Sequence, residues 1–246
     1  MMLQLAEPYL TRVTGAAPLV VLGVTPEIVH LDWPANVSLL ACDQSAEMIA
    51  KVWSPHASLP SAVQQIRWQN MPRPDRSVAC FVGDGSLNVF PYLNDYRDVF
   101  GEVRQLLTPE GALILRIFVR PDVRAALQDV ERAVTEGEIK SFHALKWHVA
   151  MTITEAPEYS VKVTDIRDAI MRMFPDRARL AEMRSWPRAI IDGIDSYADV
   201  DTRYSFPTLD AIKDVCASYF EIADKLVGEY EIAERCPTIL FRPLGA

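Results

Sequence analysis

Four short polar clusters each follow an apolar run, and two of them carry glycine. Gly23-Val24-Thr25-Pro26-Glu27 closes the apolar run 18–24. Gly23 permits close approach of backbone to a ligand, and Thr25 is placed as a helix N-cap or a ligand contact. Pro26 suits a first helical turn, where its missing N–H has no partner to lose. Asp43 and Gln44 follow the run 37–42, and Asp43 stands 20 residues beyond Gly23. A carboxylate at that spacing can accept both ribose hydroxyls of an adenosine ligand; it can also simply cap the next helix. Gln69-Asn70-Met71 follows a weaker run, 66–70, where an amide could meet an adenine edge and Met71 its face. Gly83-Asp84-Gly85-Ser86 follows the run 78–83, and two glycines around an acid again permit backbone approach. Away from these, His143 and Trp147 stand four apart in SFHALKWHVA, and His143 is a candidate base, with Tyr197, Arg203 and Tyr204 further candidates near the return to the sheet.

The clusters need elements to hold them at one edge. Continuous apolar runs at 18–24, 37–42, 78–83 and 112–119 predict strands covered on both faces, with a weaker strand at 66–70. Helices are expected from Ala46 to Trp53, after a Ser45 cap, and over 94–107. In the latter, Tyr96, Val99, Phe100, Val103, Leu106 and Leu107 form one stripe, and Thr108–Gly111 reads as a turn. This alternation predicts an α/β, Rossmann-like, doubly wound sheet, in which ligands bind beyond the carboxyl ends of the strands. Residues 121–205 read as helices over 123–134, 139–153, 163–174 and 178–194, a helical insertion on the substrate side. One further helix, 207–218, precedes two strands, 220–228 and 237–244, joined without a helix and therefore antiparallel. The sheet domain then spans 1–120 and 206–246 around an insertion of 121–205.

With 246 residues, half of them hydrophobic, the chain can bury a sizeable core. Its 25 Lys and Arg against 33 Asp and Glu give a net charge of −8, which disfavours a nucleic-acid partner and favours a small-molecule substrate. Cys42, Cys80, Cys216 and Cys236 include no C-x-x-C pair, and buried thiols are expected. His143 and His148 are five apart and do not share a helix face, so no metal site is expected. The N-terminus lacks a secretion signal's basic start and long apolar core, and no run of about 18 apolar residues occurs. A cytoplasmic location without membrane association is the expectation.

These residues resemble the class I S-adenosylmethionine-dependent methyltransferases over 15–120 and 207–244, most specifically in SVACFVGDGSLNVFPYLNDYRDVFGEVRQLLTPEGALILRIF. The resemblance implies a seven-stranded sheet ending in an antiparallel pair and a cofactor, S-adenosyl-L-methionine. It implies that the Gly23 and Thr25 loop meets the methionine end, Asp43 and Gln44 the ribose, and Asn70 and Met71 the adenine. Gly83, Asp84, Gly85 and Ser86 then border the methyl group and acceptor, with Asp84 a second candidate catalytic group beside His143. The family's first loop usually carries an acid and several glycines; here Gly23 stands alone, with Glu27 the nearby acid. A nicotinamide-dependent dehydrogenase would need G-x-G-x-x-G at that place, and Val24-Thr25-Pro26 puts side chains there instead. Non-methylating chemistry on the same fold, or a non-catalytic binding subunit, are the alternative readings.

Overall fold

The computed structural model describes residues 1–245. In chain order, α1 (Met2–Leu10) leads into β1 (Ala17–Leu22), the single turn α2 (Pro26–Val29), β2 (Val37–Asp43), α3 (Ala46–Val52) and β3 (Ser61–Gln65). Then come β4 (Val78–Asp84), α4 (Asn94–Leu106) and β5 (Leu107–Arg116). Helices α5 (Leu127–Glu136) and α6 (Phe142–Ile153) precede a short strand, β6 (Ser160–Lys162). Helices α7 (Val163–Met173), α8 (Arg177–Arg184) and α9 (Arg188–Asp192) follow, then β7 (Arg203–Ser205). The chain closes with α10 (Leu209–Cys216), β8 (Phe220–Leu226) and β9 (Thr238–Pro243).

The main sheet has seven strands in the order β3-β2-β1-β4-β5-β9-β8. The first five are parallel, and β9 runs antiparallel to both β5 and β8; the last two strands are joined by a short connector with a single 3-10 turn and no α-helix, as expected for an antiparallel pair. Strand order reverses between β1 and β4. Successive residues of β1 serve opposite faces. Val20 and Leu22 join the layer under α4 and α10, while Leu19 and Val21 join the layer under α1 and α2. A continuous apolar run is what a strand covered on both sides requires. The stripe of α4 is buried as its spacing predicted.

Four features depart from the sequence expectation. The third strand is Ser61–Gln65, and 66–70 is the loop that follows it. An edge strand facing solvent needs few apolar residues, so SAVQQ gave little signal, while the apolar Ile66 and Trp68 belong to its exit. Thr108–Gly111 is part of β5, bulged out where Val78 pairs with Leu107 and Cys80 with Ala112. Residues 2–10, given no element from the sequence, form α1, which buries Leu5, Ala6 and Leu10. Finally, the mostly helical stretch 121–205 also carries β6 and β7, paired antiparallel. Its helices pack around their own cluster, which includes Leu145, Val149, Ile166, Ile170 and Phe206.

All four cysteines are free and buried. Burial pushes the Cys42 and Cys236 thiols up to about 12, which makes them poor nucleophiles. Among the described residues no helix is long and apolar enough to cross a membrane.

Candidate functional site

A cleft of about 560 Å³ opens at the carboxyl ends of β1, β2 and β4, beside the reversal of strand order. It receives Gly23, Thr25 and Pro26 from the end of β1, and Asp43, Gln44 and Ser45 from the end of β2. Ile66, Arg67 and Trp68 come from the loop after β3, and Asp84, Gly85 and Ser86 from β4 and its exit. Thr202 and Tyr204 reach it from the far end of the insertion.

Gly23 has φ +112°, a backbone region that L side chains rarely adopt. Its N–H donates to the Cys42 carbonyl at 2.8 Å, and the Trp68 indole N–H donates to the same oxygen at 2.6 Å. The first loop, the end of β2 and the loop after β3 are thereby tied at one atom. Thr25 occupies the N-cap of α2, but its hydroxyl makes no capping bond. Glu27 is exposed and is not part of the cleft wall, so no carboxylate of the first loop opposes an anionic ligand group.

Asp43 is half-buried, and its Oδ1 accepts the Ser45 N–H at 2.8 Å. Ser45 in turn caps α3, its Oγ accepting the Met48 N–H at 3.2 Å. Capping uses one oxygen, and among the described residues Oδ2 has no hydrogen-bond partner. The capping role and the ligand role are therefore compatible in one side chain.

After β4, Ser86 Oγ donates to the Leu22 carbonyl at 2.7 Å, bridging two strand ends. Gly85 has φ +62°, and a Cβ there would lie 3.0 Å from the Phe118 ring. Both oxygens of Asp84 accept from Arg116, one from Nε and one from Nη2. Burial works against the Arg116 cation, but this carboxylate outweighs it and holds the guanidinium above its ordinary range. The pair is sterically set by the Phe118 and Tyr230 rings, whose centres lie 5.6 and 5.8 Å from the guanidinium carbon.

Of the residues singled out from the sequence, the fold gathers Gly23, Thr25, Asp43, Gln44, Asp84, Gly85 and Ser86 around one cleft. Gly83 lies within β4 and leaves no side chain at the wall; a Cβ would meet Leu115 Cδ2 at 3.0 Å and Ser86 Cβ at 3.1 Å. Asn70 is exposed and Met71 is buried in the core, its N–H held by Glu102 Oε1 at 2.6 Å. Because the strand ends at Gln65 rather than at 70, the loop residues that reach the cleft are Ile66, Arg67 and Trp68 instead. His143 is exposed on α6 and does not reach the cleft wall, although burial and the nearby Lys146 lower its pKa.

Two residues of importance here carried little or no sequence signal. Asn88 is buried, and its Nδ2 donates to the Phe118 and Ser205 carbonyls at 2.8 and 2.7 Å while Oδ1 accepts the Phe118 N–H at 3.0 Å. Ser205 Oγ donates to the Phe90 carbonyl at 2.8 Å, which leaves Tyr96 as the donor in its 2.8 Å bond to the same hydroxyl. Tyr204 sits beside this network, its ring packed on Trp147 and Phe206. Their signal is sequence distance: Asn88 and Ser205 are 117 residues apart.

No protein-family model matches the chain. No curated protein matches it. Solved structures do. A structure described as an S-adenosylmethionine-dependent methyltransferase from Methanosarcina mazei superposes with TM-score 0.55 at 13% identity, covering 96% of each chain. A LepI variant, solved with S-adenosylhomocysteine and a substrate analogue, gives 0.53 at 11% identity, over 96% of this chain and 46% of its own. A structure described as a pericyclic reaction enzyme gives 0.53 at 11%, over 97% of this chain and 46% of its own. The chain thus shares its fold with these proteins. At these identities the likeness concerns the fold alone.

Proposed function

We propose that the protein transfers a methyl group from S-adenosylmethionine to a small-molecule acceptor. One observation carries this reading: a carboxylate with an unengaged oxygen, Asp43, shares a cleft with Gly23 and Gly85 at the point where strand order reverses. In this reading Asp43 Oδ2 accepts from the ribose, and Met48, Val52 and Ile66 flank the adenine. The backbone at Gly23 and Gly85 admits the methionine part. Ser86, committed to the Leu22 carbonyl, holds the loop's shape. The Methanosarcina mazei structure and the S-adenosylhomocysteine complex of LepI support the choice of cofactor.

Methyl transfer from a sulfonium is an in-line displacement with a good leaving group. The protein has to supply proximity, alignment and exclusion of water. In this reading residues 1–120 and 206–246 hold the cofactor, and 121–205 cover the acceptor through Thr202 and Tyr204. Asp84 positions the loop through Arg116, which engages both of its oxygens. His143, exposed outside the cleft, has no proton to move there.

Incubation with methyl-labelled cofactor and a panel of small acceptors tests the reaction: label should pass to a small molecule. In parallel, Asp43→Ala is expected to weaken cofactor binding about tenfold or more, roughly 1.4 kcal/mol, by calorimetry. Unchanged affinity would remove the ribose assignment. Cofactor binding without label transfer to any acceptor would favour non-methylating chemistry, a reading that the pericyclic enzyme of the same fold supports.

A further inference from the structure

The charges around the cleft are distributed unevenly. Arg67 is the one cation in its wall among the described residues, and it follows β3, next to Asp43, whose register partner is Gln65. That is the adenosine end in the reading above, on which this inference rests only for the direction of the cleft. The other end lies beyond β4, on the far side of β1, about 10 Å from the end of β2 by strand spacing. It is built from Val89, Phe90, Thr202 and Tyr204, and its one ionised group, Asp84, is neutralised through both oxygens by Arg116. Among the described residues, that end therefore offers no free charge of either sign.

Its two aromatic walls are also fixed in orientation. The Phe90 ring stands edge-on to Trp68, 5.3 Å between centres and 75° between planes. The Tyr204 ring is 5.9 Å from Trp147 at 60° and 6.4 Å from Phe206 at 72°. The Phe90 carbonyl and the residue after Tyr204 are joined directly by the Ser205 hydroxyl bond, so the two walls are held together. Rigid aromatic walls favour a flat partner, and burying an unpaired charge between them costs far more than burying a neutral ring.

We propose that the acceptor end of the cleft takes a flat, uncharged, aromatic molecule, with the ring of Tyr204 as one wall. The probes are indole and its charged counterparts indole-3-acetate and tryptamine, titrated by calorimetry into protein saturated with S-adenosylhomocysteine. Saturable indole binding is expected, with both charged counterparts about tenfold weaker or more. Tyr204→Phe keeps the ring and should keep indole binding; Tyr204→Ala should weaken it about tenfold. Equal or tighter binding of either charged probe, or no saturable indole binding, overturns the proposal, as does full loss in Tyr204→Phe. The charge series needs only the unaltered protein, so misfolding of a variant does not shield the claim. If S-adenosylhomocysteine itself fails to bind while indole binds selectively, the cofactor reading falls and the acceptor-end inference stands.

Discussion

Gly83 and Gly85 are glycines for different reasons. Gly85 needs its left-handed backbone, whereas Gly83 needs the space that Leu115 and Ser86 occupy. Gly83→Ala is expected to destabilise the protein by about 1–3 kcal/mol, by forcing Ser86 off the Leu22 carbonyl, measured by urea unfolding. His148 offers a residue-scale pH effect. Burial, reinforced by Arg235, lowers its pKa from 6.5 to about 4. The unfolded chain therefore takes up a proton near 6.5 that the folded chain refuses until about 4, so stability falls as pH drops through that window. Urea midpoints between pH 7 and 4 should decline, and His148→Gln should flatten part of the decline.

At the scale of elements, the loop after β4 and the insertion are joined by buried polar bonds. Asn88→Ala would strand the Phe118 N–H and two carbonyls, and a loss of about 2–4 kcal/mol is expected from chemical denaturation. A parallel tie runs through the β8–β9 connector, where Glu231 accepts from the Lys140 N–H and from Ser141 Oγ at the start of α6. The buried strands β1, β2, β4 and β5 were legible because strands covered on both faces must be apolar throughout. The edge strand β3 was not, since three of its five residues are Ser or Gln. The residue pattern likewise could not show β6 and β7, three residues each, whose pairing depends on chain segments some forty residues apart. Gly23, Asp43 and the Gly-Asp-Gly-Ser loop were readable as candidates because each directly follows a legible strand. Ile66, Arg67 and Trp68 were missed because their strand was misplaced; Tyr204 was one of three candidates near the return to the sheet, and the tertiary fold is what brings it to the cleft.

At the scale of the whole molecule, a doubly wound sheet leaves a crevice where its order reverses, and this chain places there a carboxylate, Asp43, with one oxygen unengaged among the described residues. The single glycine of the first loop is consistent with a ligand that lacks a pyrophosphate, because Val24, Thr25 and Pro26 fill the space that a pyrophosphate would need. The most direct measurement is therefore a calorimetric titration of the unaltered protein with S-adenosylhomocysteine, beside an identical titration with NAD. The account predicts saturable binding of the first and none of the second. Saturable binding of NAD, with no heat from S-adenosylhomocysteine, would contradict it.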